Sequence, residues 1–379
     1  MHIIVLENQP SAQRGGQELI LLDVCRGLAE RGHQISLLYL EEGNLIKQYQ
    51  EFCTHLIKVN SFLLDRSTIK HSLKFFADLW KVPVHKNSVV YSNRYHDVVF
   101  GYVLSLIKQI PFVCYLQLPP HTKTFGRPHT LGLKGVKKFI ALSQQTKLDW
   151  LDVGLKEEKI DIVHVGINRE TYQPAEQFSL LRKQWDIPEK TKVVSYVGRI
   201  DKEKGIEILI KAFALLIKER VDAKLLIAGK PVAHSTFEEG EKYQEALKQL
   251  AINLGISENV EFLGHVTNTT AVYQVSDVTV VPSLWSEPFG RVIIESMACG
   301  TPVIASRTGG IPEILTANFE KELFEPGNVQ AILETLNQII DWRDREPDYG
   351  ERCRQHISSN FSLDNMINGI EKSLLSVAN

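Results

Sequence analysis

Cysteine is scarce in this chain, with five among 379 residues and no two at C-x-x-C spacing. That argues against a disulfide framework and against a zinc site, and it favours a reducing compartment. No uncharged apolar run reaches 18 residues, so nothing reads as a membrane span. The chain opens Met1-His2-Ile3-Ile4-Val5-Leu6-Glu7, with neither a basic leader nor a full apolar stretch behind it. The expectation is a cytoplasmic protein without a signal peptide. Net charge is only −2, which leaves no electrostatic footprint for nucleic acid. Repeats and low-complexity tracts are also missing.

What remains is an ordinary globular composition, long enough for two domains. The halves differ in charge. Residues 1–170 hold 21 Lys/Arg against 16 Asp/Glu, whereas the remainder holds 22 against 29. Nine of the twelve His fall in the first half. A basic first half suits an acidic or membrane-surface partner, and scattered solvated Lys has the same composition.

Apolar runs and helical patterns alternate throughout, which predicts an α/β chain with parallel sheets. Ile3–Leu6 reads as a strand, Gly15-Gly16 as a turn, and Gln17–Arg31 as a helix with Ile20, Val24 and Leu28 on one face. Ile35–Leu40 follows as a strand. A Gly pair entering a helix lets a phosphate approach the backbone, although it is not a full G-x-G-x-x-G and a plain turn uses glycine equally well. In residues 69–81, Ile69, Leu73, Phe76 and Trp80 share one helical face, accompanied by Lys70, Lys74 and Lys81. Such a helix either packs on its own domain or lies on an anionic bilayer. Strands at Ser88–Tyr91 and Pro111–Leu116 deliver His96 and the run Gln117 to Lys123, which contains His121. These are the His rings best placed for a ligand. Phe139–Leu142 is another strand, and Ser143 caps the helix after it. Ile160–Gly166 reads as the last strand of a first domain, 1–168. An irregular stretch from Asn168 opens a second domain, 169–360, and a final amphipathic helix covers 361–375.

In the second half, the strand Lys192–Val197 delivers Gly198-Arg199, then Lys204-Gly205, before a helix with Ile206, Leu209, Ile210 and Phe213. A forked donor, a point charge and helix N–H groups together suit a diphosphate; an exposed charged turn looks the same on paper. The strand Val278–Val281 runs into Glu287-Pro288-Phe289-Gly290, followed by a helix from Arg291-Val292 that stops at Gly300. Two carboxylates, Glu287 and Glu295, frame that helix start. On one helix they would stand roughly 12 Å apart at ~1.5 Å per residue. Glycosidase pairs lie about 5 to 10 Å apart, so the spacing weakens a hydrolase reading.

Glu287-Pro288-Phe289-Gly290 with Glu295 is an E-x7-E motif, continued by Ala298-Cys299-Gly300-Thr301-Pro302-Val303. With Gly15-Gly16, Gly198-Arg199 and Glu203-Lys204-Gly205, it resembles the retaining glycosyltransferases of family 4. The resemblance covers essentially the whole chain. It implies the GT-B fold: two Rossmann-like doubly wound domains facing a central cleft, the C-terminal helix 361–379 completing the first, acceptor-side domain. It implies a nucleotide-sugar donor, most often a UDP-sugar with UDP-glucose as default, and a glycan or lipid-linked acceptor. Arg199 and Lys204 are then expected at the diphosphate, Gly15 and Gly16 beside the phosphates, and Val266 at the base. Glu287, Phe289 and Gly290 are expected at the transferred sugar, Glu295 at the ribose, and Arg291 beside them. No D-x-D occurs, so no divalent metal or other cofactor is expected. Family members carry a His at the end of the strand that here reads Val113 to Gln117. Tyr115 and Gln117 stand in its place, and His121 is expected to reach the cleft instead. A nucleotide-sugar epimerase, a phosphorylase and a non-catalytic sugar-binding clamshell share the architecture.

Overall fold

Long apolar runs with no polar alternation demand strands covered on both faces, and that is what they form. The computed structural model describes residues 1–12, 15–63, 69–121, 125–219, 222–231 and 237–378, with the side chains of 69–71 and 237 outside that set. The chain divides into two units, Met1–Val165 with Leu363–Asn379, and Gly166–Ser362. Together they give the two-domain GT-B fold.

Among the described residues, the first unit is built on seven parallel strands. They are β1 (His2–Glu7), β2 (Gln34–Tyr39), β3 (His55–Lys58), β4 (Ser88–Ser92), β5 (Phe112–Leu116), β6 (Lys138–Ala141) and β7 (Ile160–Ile162). Their order is β3-β2-β1-β4-β5-β6-β7. Ile3 to Leu6 are wholly buried, as the apolar run requires. The helix Gly16–Glu30 follows β1 and buries Ile20, Val24 and Leu28. One expectation needs correction here, and one pair of alternatives is narrowed. The strand at Ile160 ends at Ile162, because Val163 to Gly166 leave the sheet. The helix Ile69–Lys81 does not bury the stripe of Leu73, Phe76 and Trp80; Phe75 and Leu79 are its core face. Ile69 and Lys70 have side chains outside the described residues.

The second unit carries six strands: β8 (Lys192–Val197), β9 (Ala223–Ala228), β10 (Val260–Gly264), β11 (Val278–Val281), β12 (Val303–Ser306) and β13 (Leu323–Phe324). Their order, β10-β9-β8-β11-β12-β13, is the 3-2-1-4-5-6 order of doubly wound folds. The order reverses between β8 and β11, and ligands in such sheets bind beyond the strand ends at that reversal. The helix Tyr349–Asn360 ends at Phe361, whose backbone leaves the helical region, and Phe361 packs edge-on against Phe289 at 5.7 Å. The final helix therefore starts at Leu363 rather than Phe361.

Candidate donor site

β8 and β11 are hydrogen-bonded neighbours, and their C-terminal loops meet. After Val197 the chain passes through Gly198 and Arg199 into a short 3-10 turn, Lys202–Lys204, and then the helix Ile206–Glu219. Gly205 joins turn to helix in the left-handed region, at φ 68°, and a Cβ there would lie 2.0 Å from the Pro282 carbonyl oxygen. The contact is so close that the β11 loop is held against this turn. Leu284 N–H donates to the Glu203 carbonyl at 2.8 Å, a second tie between the two loops.

That docking brings Lys204 onto Glu287. Their side chains form an ion pair, and Ser283 Oγ donates to Glu287 Oε1 at 2.6 Å. The Lys204 ammonium also stands 5.2 Å from the centre of the Trp285 ring, a cation–π contact. From the other side Gly309 presses on the Glu287 backbone, with φ 58° and no room for a Cβ. Gly310 N–H donates to the Glu287 carbonyl at 2.8 Å. Glu287 is thus positioned by three loops. Arg199 is more open: its Nη2 lies 3.5 Å from Asp201, and its side chain is 38% exposed.

Glu295 has different surroundings. Gly290, at φ 115°, opens the helix Arg291–Ala298, so Glu287 lies in the loop and Glu295 on the helix. Oε1 of Glu295 accepts from Tyr172 Oη at 2.9 Å and Arg291 Nε at 2.7 Å, and Oε2 accepts from Tyr273 Oη at 2.8 Å. Burial and the nearby carboxylate push both tyrosine hydroxyls well above their ordinary range. A carboxylate held by three donors is a rigid acceptor for further hydroxyls. The site therefore splits the two acids by partner: one with a Lys, the other with two Tyr and an Arg.

Phe289 is buried, with its ring edge-on against Phe361 at 5.7 Å. Val266 is half-buried, just beyond β10. Tyr172, Tyr273, Ser283, Trp285 and the Gly309-Gly310 pair were not singled out from the sequence. Of these only the glycine pair carries a local signal, since paired glycines mark close backbone approach.

Gly15, Gly16 and His121 belong to the first unit. Gly15 caps the helix Gly16–Glu30 at φ 145°, and the space where a Cβ would point is open. His121 is exposed, with its backbone N–H 3.3 Å from Tyr95 Oη; Thr122 and Lys123 lie outside the described residues. His96 stacks on Tyr95 at 4.0 Å. Burial, then the neighbouring Arg94, pushes its ring down to about 4. Tyr115 is fully buried, and Gln117 is 3% exposed with its amide donating to Asn93, so neither replaces a ligand-facing His. No helix among the described residues is long and apolar enough to cross a membrane.

Known proteins share this chain's family and fold. Residues 14–171 match the family described as Glycosyltransferase Family 4, and residues 177–356 match Glycosyl transferases group 1. An uncharacterized glycosyltransferase of Methanocaldococcus jannaschii is 27% identical over 372 residues, covering 90% of each chain. The N-acetyl-alpha-D-glucosaminyl L-malate synthase of Bacillus anthracis is 26% identical, covering 94% of this chain and 93% of its own. The crystal structure of Anabaena HepE in complex with UDP and glucose superposes with a TM-score of 0.84 at 23% identity, over 99% of this chain and 100% of that one. The two family matches together span nearly the whole chain, and it belongs to the family 4, group 1 glycosyltransferases of GT-B fold.

Proposed function

We propose that this chain is a retaining hexosyltransferase. It moves a sugar from a UDP-sugar, with UDP-glucose as the default, to a hydroxyl of a glycan or lipid-linked acceptor in exopolysaccharide assembly. The observation that carries this reading is the junction of the two loops at the sheet reversal, where Lys204 meets Glu287. That HepE was crystallised with UDP, glucose and UDP-glucose supports the choice of donor.

In this reading Arg199 and Lys204 neutralise the diphosphate. Glu287 accepts hydroxyls of the transferred sugar beside the N–H groups of Phe289 and Gly290. Glu295 takes the ribose hydroxyls, Arg291 acts through Glu295, and Val266 lies by the base. His121 supplies the contact that relatives take from a strand-end His. The acceptor oxygen bonds to the anomeric carbon on the face from which the phosphate oxygen departs. Its proton passes to a donor phosphate oxygen, and the bonding electron pair leaves with the diphosphate. Fixed cations aimed at that growing charge supply the dominant stabilisation, and no divalent metal is needed. The enzyme works on the cytoplasmic side of a membrane, to which its basic first unit is drawn.

The test is transfer from a panel of UDP-, GDP- and ADP-sugars, followed by NMR in EDTA. The expected product keeps the donor's anomeric configuration, at a rate unchanged by the chelator. Inversion, a need for metal, or an epimerised nucleotide sugar formed without acceptor would each refute the reading.

A further inference from the structure

The helix Ile69–Lys81 has two apolar faces, and the fold uses one. Phe75 and Leu79 are 1% and 0% exposed, and the Phe75 ring packs edge-on against Phe100 at 5.3 Å. Leu73, Phe76 and Trp80, spaced three and four residues apart and hence stacked along one side, are 65%, 42% and 71% exposed. Single exposed apolar residues are normal on a soluble protein; three large ones on one helical stripe mark a surface that meets something.

The charge around the stripe says what. Between residues 72 and 87 the sequence holds one acid, Asp78. It is buried, paired with Lys81 at 2.7 Å and hydrogen-bonded to Asn60 N–H at 2.7 Å. Lys74, Lys81 and Lys86 are exposed over the same stretch. On the neighbouring helix Val98–Lys108, the Lys108 ammonium stands 5.4 Å from the centre of the Trp80 ring. The surface is therefore apolar and cationic, with no exposed carboxylate in that segment. A second copy of the same face would set lysines against lysines. An anionic bilayer satisfies both features at once: Leu and Phe enter the acyl boundary, Trp sits at the headgroup level, and lysines reach the phosphates.

We propose that the stripe of Leu73, Phe76 and Trp80, rimmed by Lys74, Lys81 and Lys108, seats the protein on an anionic lipid bilayer. This deepens the lipid-surface part of the proposed function and uses no donor-site residue, so its failure leaves the transferase reading standing.

Cosedimentation of the full chain with phosphatidylcholine vesicles, with and without phosphatidylglycerol, tests it. Binding is expected only to the anionic vesicles and weakens at high salt. It drops roughly tenfold or more in the Leu73→Ser/Phe76→Ser/Trp80→Ser variant, and roughly fivefold in Lys74→Glu/Lys108→Glu. Circular dichroism and UDP affinity stay as in the wild type. If the triple variant misfolds, Trp80→Ser alone is read in the same assay. Absence of wild-type binding, equal binding to neutral vesicles, or undiminished binding by the variants would overturn the proposal. So would wild-type self-association in light scattering that the triple variant loses, which would assign the stripe to a second copy.

Discussion

Glu7 ends β1 with its carboxyl 1% exposed, accepting from Asn8 N–H at 2.7 Å and Asn93 Nδ2 at 3.1 Å. Burial first, then the neighbouring Glu18, pushes its pKa up from 4.5 to about 7. Between those values the folded chain keeps a proton that the unfolded chain has lost. Glu7 therefore costs stability as pH rises through that window, and the cost is constant above 7. The size is on the order of 3 kcal/mol. His2 and His96, both pushed down to about 4 by burial, act in the opposite sense up to their ordinary 6.5. The difference between wild type and Glu7→Gln removes their contribution. Denaturant melts should show the variant gaining on the wild type from pH 5 to pH 8; a constant difference would contradict the assignment. Nothing in the sequence flagged Glu7, because Asn93 and Glu18, which act on its carboxyl, arrive from other elements.

Gly205 decides the geometry of the candidate donor site at the scale of two loops. A left-handed residue other than Gly costs about 1 kcal/mol or more, and here a Cβ would also strike the Pro282 carbonyl. Gly205→Ala should therefore shift the β11 loop, lower the melting temperature and weaken UDP binding together. Gly154→Ala is the control, since its φ is 91° but nothing lies within 4 Å of the added Cβ. It should lose stability and keep UDP affinity, and equal loss of affinity in both would refute loop docking as the cause. Much of this region was legible from residue order. Apolar runs gave β8, closed by Gly198, and β11, closed by Pro282, and the helical pattern that starts after Gly290 placed Glu287 in the loop and Glu295 on the helix. Partners were not legible. Tyr172 is 123 residues from Glu295 and lies in a stretch without periodicity. The helix Ile69–Lys81 follows the same logic: periodicity shows that a stripe exists, and packing alone decides that Phe75 and Leu79, not Leu73, Phe76 and Trp80, face the core.

At the scale of the molecule, the last helix, Leu363–Leu375, belongs to the unit formed by the first 165 residues. It buries Met366, Ile367, Ile370 and Leu374. Ile367 fills the space beside Gly27, where a Cβ would lie 2.1 Å from its Cδ1. Glu371 pairs with Arg31 and His33, each at 2.7 Å, and both lower its pKa. Four buried side chains at about 2 kcal/mol each approach the whole margin of a typical domain, roughly 5–15 kcal/mol. Removing residues 363–379 should leave a chain whose first unit fails to melt cooperatively in calorimetry. A truncated chain with both units intact would show that the helix is dispensable.

The central claim is that the loop after β8 holds a nucleotide diphosphate. Isothermal titration of UDP into the wild type, Arg199→Ala and Lys204→Ala tests it most directly. Each lost charge-assisted contact is worth about 1.5–3 kcal/mol, or at least tenfold in affinity. Both variants should bind UDP at least about tenfold more weakly while melting as cooperatively as the wild type. Wild-type UDP affinity in either variant would contradict the account.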